Sequence, residues 1–97
     1  MKMLMIIVED QYRDAVEVVL EDYKIKGFTE IPTVFGEGEH GKRLGSRLHP
    51  GASSIVFSIV SDDHVESLKE KLLGACSVKE GCERPIHIVV LNVEQFF

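Results

Sequence analysis

The hydrophobic pattern of the 97-residue chain changes period several times, in an order that leaves few folds open to it. Residues Met3–Val8 form a continuous apolar run, which is typical of a strand covered on both faces. From Asp10 to Tyr23 apolar residues recur at three- and four-residue steps, which indicates an amphipathic helix. Asp10 is its predicted N-cap, and Gly27 lies just beyond its predicted end.

Prolines mark two of the later strands. Residues 28–35 form a strand candidate that contains Pro32, which lacks the N–H that a ladder hydrogen bond needs. This strand is therefore expected at a sheet edge or with a bulge. The last strand candidate, residues 85–93, opens with Pro85.

A third strand and a second helix lie between these two. Residues 52–61 are strand-like, Ser61 is the predicted N-cap of the following helix, and Gly74 is its predicted end. The resulting βαββαβ order predicts an α+β fold, the ferredoxin-like sandwich, with two helices on one face of a four-stranded antiparallel sheet. In that topology the second and fourth strands, which contain proline, are the edges. Residues 1–97 are expected to form a single domain.

Apolar residues occupy both faces of the first, third and fourth predicted strands. A lone sandwich leaves one sheet face in water, and its strands should then alternate between apolar and polar residues. The face without helices is therefore expected to be buried by other copies of the chain. The pattern predicts a homo-oligomer.

Charge and segment lengths exclude some functions and compartments. The formal net charge of -5 argues against binding to nucleic acid, because phosphates favour a basic surface. The longest apolar runs are strand-sized, so no direct membrane insertion is expected, and residues 3–8 are too short for a signal peptide. These features predict a cytoplasmic protein.

Residues 36–51 hold five of the eight glycines of the chain. Gly36, Gly38 and Gly41 match a GxGxxG string, but no helix follows, which excludes the dinucleotide-binding motif. A P-loop is excluded because neither Ser nor Thr follows Lys42. The segment is predicted to be a mobile loop whose backbone amides and basic residues, Lys42 and Arg43 among them, meet an anionic ligand. A long hairpin tip without a ligand is the alternative.

Two histidines within this segment suggest a metal site. His40 and His49, with Glu37 or Glu39, offer nitrogen and oxygen ligands for a divalent transition metal. Their spacing matches no structural zinc motif. The metal site therefore stands as a hypothesis.

Cys76 and Cys82 enclose five residues, a spacing that fits neither a CxxC redox pair nor a zinc knuckle. A reversible disulfide and two reduced thiols both remain open. No nucleophile elbow or catalytic triad stands out, so the chain is not expected to be an enzyme.

Two segments, 26-KGFTEIPTVFGEGEHG-41 and 85-PIHIVVLNVEQF-96, together with the βαββαβ order, resemble the PII signalling family and more closely its PII-like relatives. The resemblance covers nearly the whole chain. It implies a ferredoxin-like homotrimer whose sheets pack around a three-fold axis. It also implies an effector, commonly an adenine nucleotide such as AMP, ADP or ATP, bound in clefts between subunits. Such proteins control a partner, often a membrane transporter or an enzyme, through a flexible T-loop, which corresponds here to residues 36–51.

The resemblance also implies a set of ligand-binding positions. On the T-loop side these are Thr29, Gly36, Gly38 and Lys42, beside the basic Arg43, and on the second loop they are Gly81 and Arg84. Some PII-like proteins carry paired cysteines in a redox-sensitive segment, of which Cys76 and Cys82 would be a local version. The loop holds no tyrosine, so uridylylation of the kind that regulates nitrogen-sensing PII proteins is not expected.

Other functions fit the same strand order. The histidines favour a metal-responsive protein, either a CutA-like trimer or a PII-like adaptor linked to metal efflux. An acylphosphatase-like enzyme needs an anion-binding loop after the first strand, and residues 8–14 are too acidic for that. An RNA-recognition domain needs exposed aromatic residues that stack bases, which residues 52–61 lack.

Overall fold

The computed structural model describes residues 1–25, 27–38, 41–43, 45, 51–76 and 85–97. Its strands and helices follow the predicted order, with a short extra pair of strands after the second strand. In chain order they are β1 (Lys2–Glu9), α1 (Arg13–Asp22), β2 (Thr29–Val34), β3 (Gly36–Gly38), β4 (Gly41–Arg43), β5 (Ser53–Val60), α2 (Val65–Ala75) and β6 (Ile86–Asn92). A 3₁₀ turn precedes each helix, at Asp10–Tyr12 and at Asp62–His64.

The main sheet has four antiparallel strands in the order β2-β5-β1-β6. The central strand β1 pairs on one side with β5, where Leu4 lies opposite Ser58, and on the other with β6, where it lies opposite Val90. The ferredoxin-like α+β fold predicted from the sequence is confirmed. The two edge strands are β2, which contains Pro32, and β6, which begins directly after Pro85.

Strand β2 carries a bulge at its proline. Ile31 lies opposite Ile55, but Val34 lies opposite Ser53, so β2 has one residue more than β5 across this interval. Thr33, next to Pro32, has a φ of 59°, which is uncommon for a β-branched residue. The bulge bends the strand where it leaves the main sheet and continues toward β3.

Alternating residues of the sheet face the two helices and form the core. The buried apolar residues from the sheet are Leu4, Ile6, Val8, Val56, Val60 and Ile86, and those from and just after the helices are Val16, Val19, Leu20, Leu68, Leu72 and Cys76. The helices therefore cover one face of the sheet.

The opposite face of the sheet, named here the open face, is also apolar. Strand register places its apolar side chains at Met3, Met5, Ile7, Ile31, Ile55, Phe57, Ile59, Val89 and Leu91. Beyond β6 the pairing with β1 continues for one more residue, because the Val93 amide donates to the Met1 carbonyl at 3.3 Å, and the chain then bends at Glu94. Residues 93–97, named here the tail, then border the open face near Met3 and Ile59.

The predicted first helix differs at both ends from the observed one. Asp10 does not cap it: its carboxylate instead accepts a hydrogen bond from the Ser54 hydroxyl at 2.9 Å. The helix ends at Asp22, well before Gly27. Lys24, with a φ of 56°, takes the left-handed position, and the Ile25 amide donates to the Leu20 carbonyl at 3.0 Å. This is a Schellman motif formed with lysine in place of glycine.

The second helix also differs from its prediction. Ser61 stands at the cap position of the preceding 3₁₀ turn but makes no capping hydrogen bond with its side chain. Gly74 does not end the helix, because α2 continues through Ala75 and is followed by Cys76. Within the described part of the chain, no helix has the length and hydrophobicity needed to cross a bilayer.

Candidate functional site

A cavity of about 450 Å³ lies at the open face, where β2 begins, and is named here the edge cavity. Its walls come from the residues that lead into β2, from the second half of β5 and from the tail. They are Gly27, Phe28, Thr29, Phe57, Ser58, Ile59 and Phe96. The volume is within the range of small-molecule sites, and three aromatic rings make the cavity largely apolar.

Thr29 owes its place in this cavity to strand register. It is the first residue of β2 and lies directly opposite Phe57 of β5. Direct partners in an antiparallel pair share a face, so the Thr29 hydroxyl and the Phe57 ring lie side by side on the open face. A hydroxyl that donates and accepts is thus set beside an aromatic surface.

The wall formed by Gly27, Phe28 and Thr29 is tied to β5 by a side chain. The Ser58 hydroxyl donates to the Gly27 carbonyl at 2.8 Å. Glu30 follows Thr29 in β2, and its carboxylate forms an ion pair with Arg13 of α1 at 3.3 Å. This ion pair raises the pKa of Arg13. Both contacts hold the start of the edge strand against the rest of the fold.

Phe96 is the tail residue that borders the edge cavity. Its side chain is 69% exposed, and it also lines two neighbouring cavities of about 650 and 550 Å³. Ile59 lines all three cavities together with Phe96. The tail therefore divides the apolar surface at this end of the open face into separate hollows.

Part of the glycine-rich segment is a two-stranded ribbon where the sequence predicted a loop. Strands β3 and β4 pair with Gly36 opposite Arg43, Glu37 opposite Lys42, and Gly38 opposite Gly41. The sequence did not predict this pairing of residues 36–38 with residues 41–43, and the mobility of the segment stays a prediction.

The base of this segment is fixed by Phe35 and two glycines. Gly45 has a φ of 68°, and a Cβ atom there would lie 2.5 Å from Cε1 of Phe35. The Gly45 amide donates to the Gly51 carbonyl at 3.0 Å. Only glycine combines this backbone conformation with so close an approach of the ring.

Within one chain, Thr29 and the backbone of the ribbon lie at opposite ends of β2. Thr29 starts β2, whereas Gly36 follows its end, and at the rise of an extended strand these positions are about 20 Å apart. The backbones of Gly36, Gly38, Lys42 and Arg43 belong to the ribbon.

Five predicted site residues lie outside the described part of the chain. They are His40, His49, Gly81, Cys82 and Arg84. Among the residues that the structure does describe, no group of three His, Cys, Asp or Glu side chains is arranged to hold a metal ion.

Cys76 is a free thiol at the end of α2 and is 1% exposed. Burial raises the pKa of this thiol, because the thiolate is poorly solvated in the core. The structure thus shows a protected cysteine, whereas a disulfide with Cys82 stays a prediction.

The burial of Cys76 has a measurable consequence. In a Cys82→Ser background, Cys76 is expected to react with iodoacetamide at pH 8 more than about tenfold slower in the native protein than in urea, because the thiolate is the reactive form. Mass spectrometry of quenched samples gives both rates. Equal rates would show that the thiol is accessible in the folded state.

Sequence reasoning missed six residues of the edge cavity, namely Gly27, Phe28, Phe57, Ser58, Ile59 and Phe96. One signal was present: Ser58 interrupts an apolar strand, and a buried hydroxyl needs a partner. No pattern in the sequence indicates that Phe96, beyond the last strand, reaches β5.

Comparison with known proteins gives the family. The family model described as nitrogen regulatory protein P-II matches residues 1–96. A search of curated proteins found no significant match. The family is regulatory rather than enzymatic, and the match gives no support to the metal-responsive alternative. Over nearly its whole length, this chain belongs to the nitrogen regulatory protein P-II family.

Proposed function

We propose that this protein is a cytoplasmic, trimeric PII-like regulator formed by a single domain of residues 1–97. It binds a small effector, such as an adenine nucleotide, in clefts between subunits. Effector binding changes the conformation of residues 36–51 and thereby controls a partner protein, such as a membrane transporter or an enzyme.

The observation that carries this proposal is the separation of Thr29 from the ribbon. Family resemblance assigns both to one ligand site, yet they lie at opposite ends of β2, about 20 Å apart. A site that contains Thr29 of one chain must therefore take its ribbon residues from another chain. A cleft between subunits meets this requirement.

The open face supports the trimer. Four strands present apolar side chains there, and some are well exposed, such as Ile31 at 45% and Leu91 at 43%. Monomeric proteins rarely expose an apolar patch of more than a few hundred Å². Packing of the open faces around a three-fold axis removes this surface from water.

The chemistry of the edge cavity supports a flat ligand that bears polar groups. Phe28, Phe57 and Phe96 provide aromatic surface, and the Thr29 hydroxyl provides one hydrogen-bonding group. Lys42 and Arg43 of a neighbouring chain would supply the charge that phosphates need. An adenine nucleotide has both of these parts.

Calorimetric titration tests the effector. At least one of AMP, ADP, ATP and cyclic AMP is expected to bind the wild type, and Thr29→Val is expected to weaken that binding roughly tenfold through loss of one hydrogen bond. Thr33→Val makes the same chemical change at the other end of β2, outside the edge cavity, and is expected to bind as the wild type does.

Two results would contradict the proposal. Absence of heat with all four nucleotides removes the nucleotide as effector. An equal loss of affinity in Thr29→Val and Thr33→Val would show that the edge cavity is not the binding site.

A further inference from the structure

Ser58 is one of two serines on a face of β5 that is otherwise apolar. It lies on the helix-facing side of β5, between Val56 and Val60, and is 3% exposed. In the described part of the chain, Ser54 and Ser58 are the buried polar residues, and both are in β5. A buried hydroxyl costs free energy unless it is hydrogen-bonded, so each of these serines requires a partner.

The partner of Ser58 is the Gly27 carbonyl, at 2.8 Å. Gly27 precedes β2, and the ladder between β2 and β5 begins only at the pair of Thr29 and Phe57. The ladder pairing does not extend to Gly27. The hydroxyl thus extends the connection between the two strands beyond the end of their backbone pairing.

No side-chain packing at Gly27 holds this part of the chain in place of the hydrogen bond. A Cβ atom built at Gly27 meets no other atom within 4 Å, so the side-chain position of this residue opens onto free space. Gly27 and Ser58 both line the edge cavity. Gly27 lies two residues before Thr29, and Ser58 is next to Phe57 in sequence.

We propose that Ser58 is a positioning residue for the edge cavity. Its hydroxyl holds the Gly27 carbonyl and so fixes the wall formed by Gly27, Phe28 and Thr29. The identity of the ligand rests on the proposed function, but the role of Ser58 in placing this wall does not. Ser58 also lines the edge cavity, but its proposed role is to act on this wall through Gly27.

The chain offers a matched control in Ser54. Both serines are buried in the same face of the same strand, and each donates one hydrogen bond, but the partner of Ser54 is the Asp10 carboxylate, at the opposite end of the strand. Ser54→Ala and Ser58→Ala therefore remove the same group with the same loss of volume, and only Ser58→Ala affects the edge cavity.

Amide hydrogen exchange tests the placement of the wall without a ligand. Ser58→Ala is expected to speed exchange at Phe28, Thr29 and Glu30 about five- to tenfold, whereas Ser54→Ala leaves these amides unchanged. Unchanged exchange in Ser58→Ala, or equal acceleration in both variants, would overturn the proposal.

Nucleotide titration then tests the consequence for binding. With the nucleotide that binds the wild type most tightly, Ser58→Ala is expected to lose about five- to tenfold in affinity and Ser54→Ala less than about twofold. Accelerated exchange without any loss of affinity would overturn the role of Ser58 in ligand binding. If the wild type binds no nucleotide, the effector in the proposed function is wrong, and the exchange result still decides the role of Ser58.

Discussion

Replacing Met5 by glutamate is expected to convert the proposed trimer into a folded monomer. Met5 lies in the central strand β1, between Phe57 of β5 and Val89 of β6, so its side chain is in the middle of the open face. A carboxylate buried there without a partner costs several kcal/mol, and a trimer buries three. Since each 1.4 kcal/mol changes an equilibrium tenfold, association should be lost at micromolar concentrations.

Two control substitutions separate charge from other effects. Met5→Gln matches the glutamate in size without its charge and is expected to weaken the trimer less. Val18→Glu adds the same charge to the exposed side of α1, where Val18 is 54% exposed, and is expected to leave the trimer intact. Light scattering coupled to size-exclusion chromatography gives the mass, and circular dichroism verifies that each variant is folded.

The glutamate variant also has a predicted pH dependence. Burial favours the neutral form of a carboxyl group, so a lower pH should restore association of Met5→Glu but not alter Val18→Glu. A monomeric wild type, or a Met5→Glu variant with the wild-type mass, would show that the open face is not the subunit interface.

The fold was predictable because hydrophobic period and proline placement are local signals. The apolar residues of β1 and β5 run at a strand period, and those of α1 and α2 at a helical one, which sets the order of the elements. Pro32 and Pro85 then restrict their strands to the edges. Together these constraints lead to one common sandwich.

Element boundaries were less predictable because they depend on hydrogen bonds that sequence does not specify. Lys24 adopts the left-handed conformation at the end of α1, where glycine is the usual residue, because the Ile25 side chain packs against the core. Asp10 bonds to Ser54, which is 44 residues away in sequence, and so is not available as a cap. In both cases tertiary contacts overrode a local preference.

The candidate site was predictable only in part. Thr29 was assigned by family resemblance, and the structure places it in the edge cavity. The neighbours that complete that cavity come from β5 and from the tail, which are remote in sequence. Phe96 lines the same cavity as Ile59 after a bend at Glu94, a path that no hydrophobic period encodes.

Replacing Leu68 by alanine is expected to lower the free energy of unfolding by about 2–5 kcal/mol. Leu68 is fully buried in the core between α2 and the sheet, so truncation removes apolar contacts and leaves a cavity that the surrounding strands cannot close. Urea denaturation at a fixed protein concentration measures the change, because subunit association also contributes to stability.

Gly74→Ala, in the same helix, is the control with the opposite sign. A Cβ at Gly74 meets no other atom within 4 Å, and the residue lies inside α2, so alanine is expected to stabilise the protein by about 0.5–1 kcal/mol. Had the helix ended at Gly74 in a left-handed conformation, as the sequence pattern predicts, alanine would destabilise it instead. The sign of the change in unfolding free energy for Gly74→Ala therefore tests where α2 ends. For Leu68→Ala, a decrease in the free energy of unfolding of less than about 1 kcal/mol would contradict the packing of Leu68 in the core.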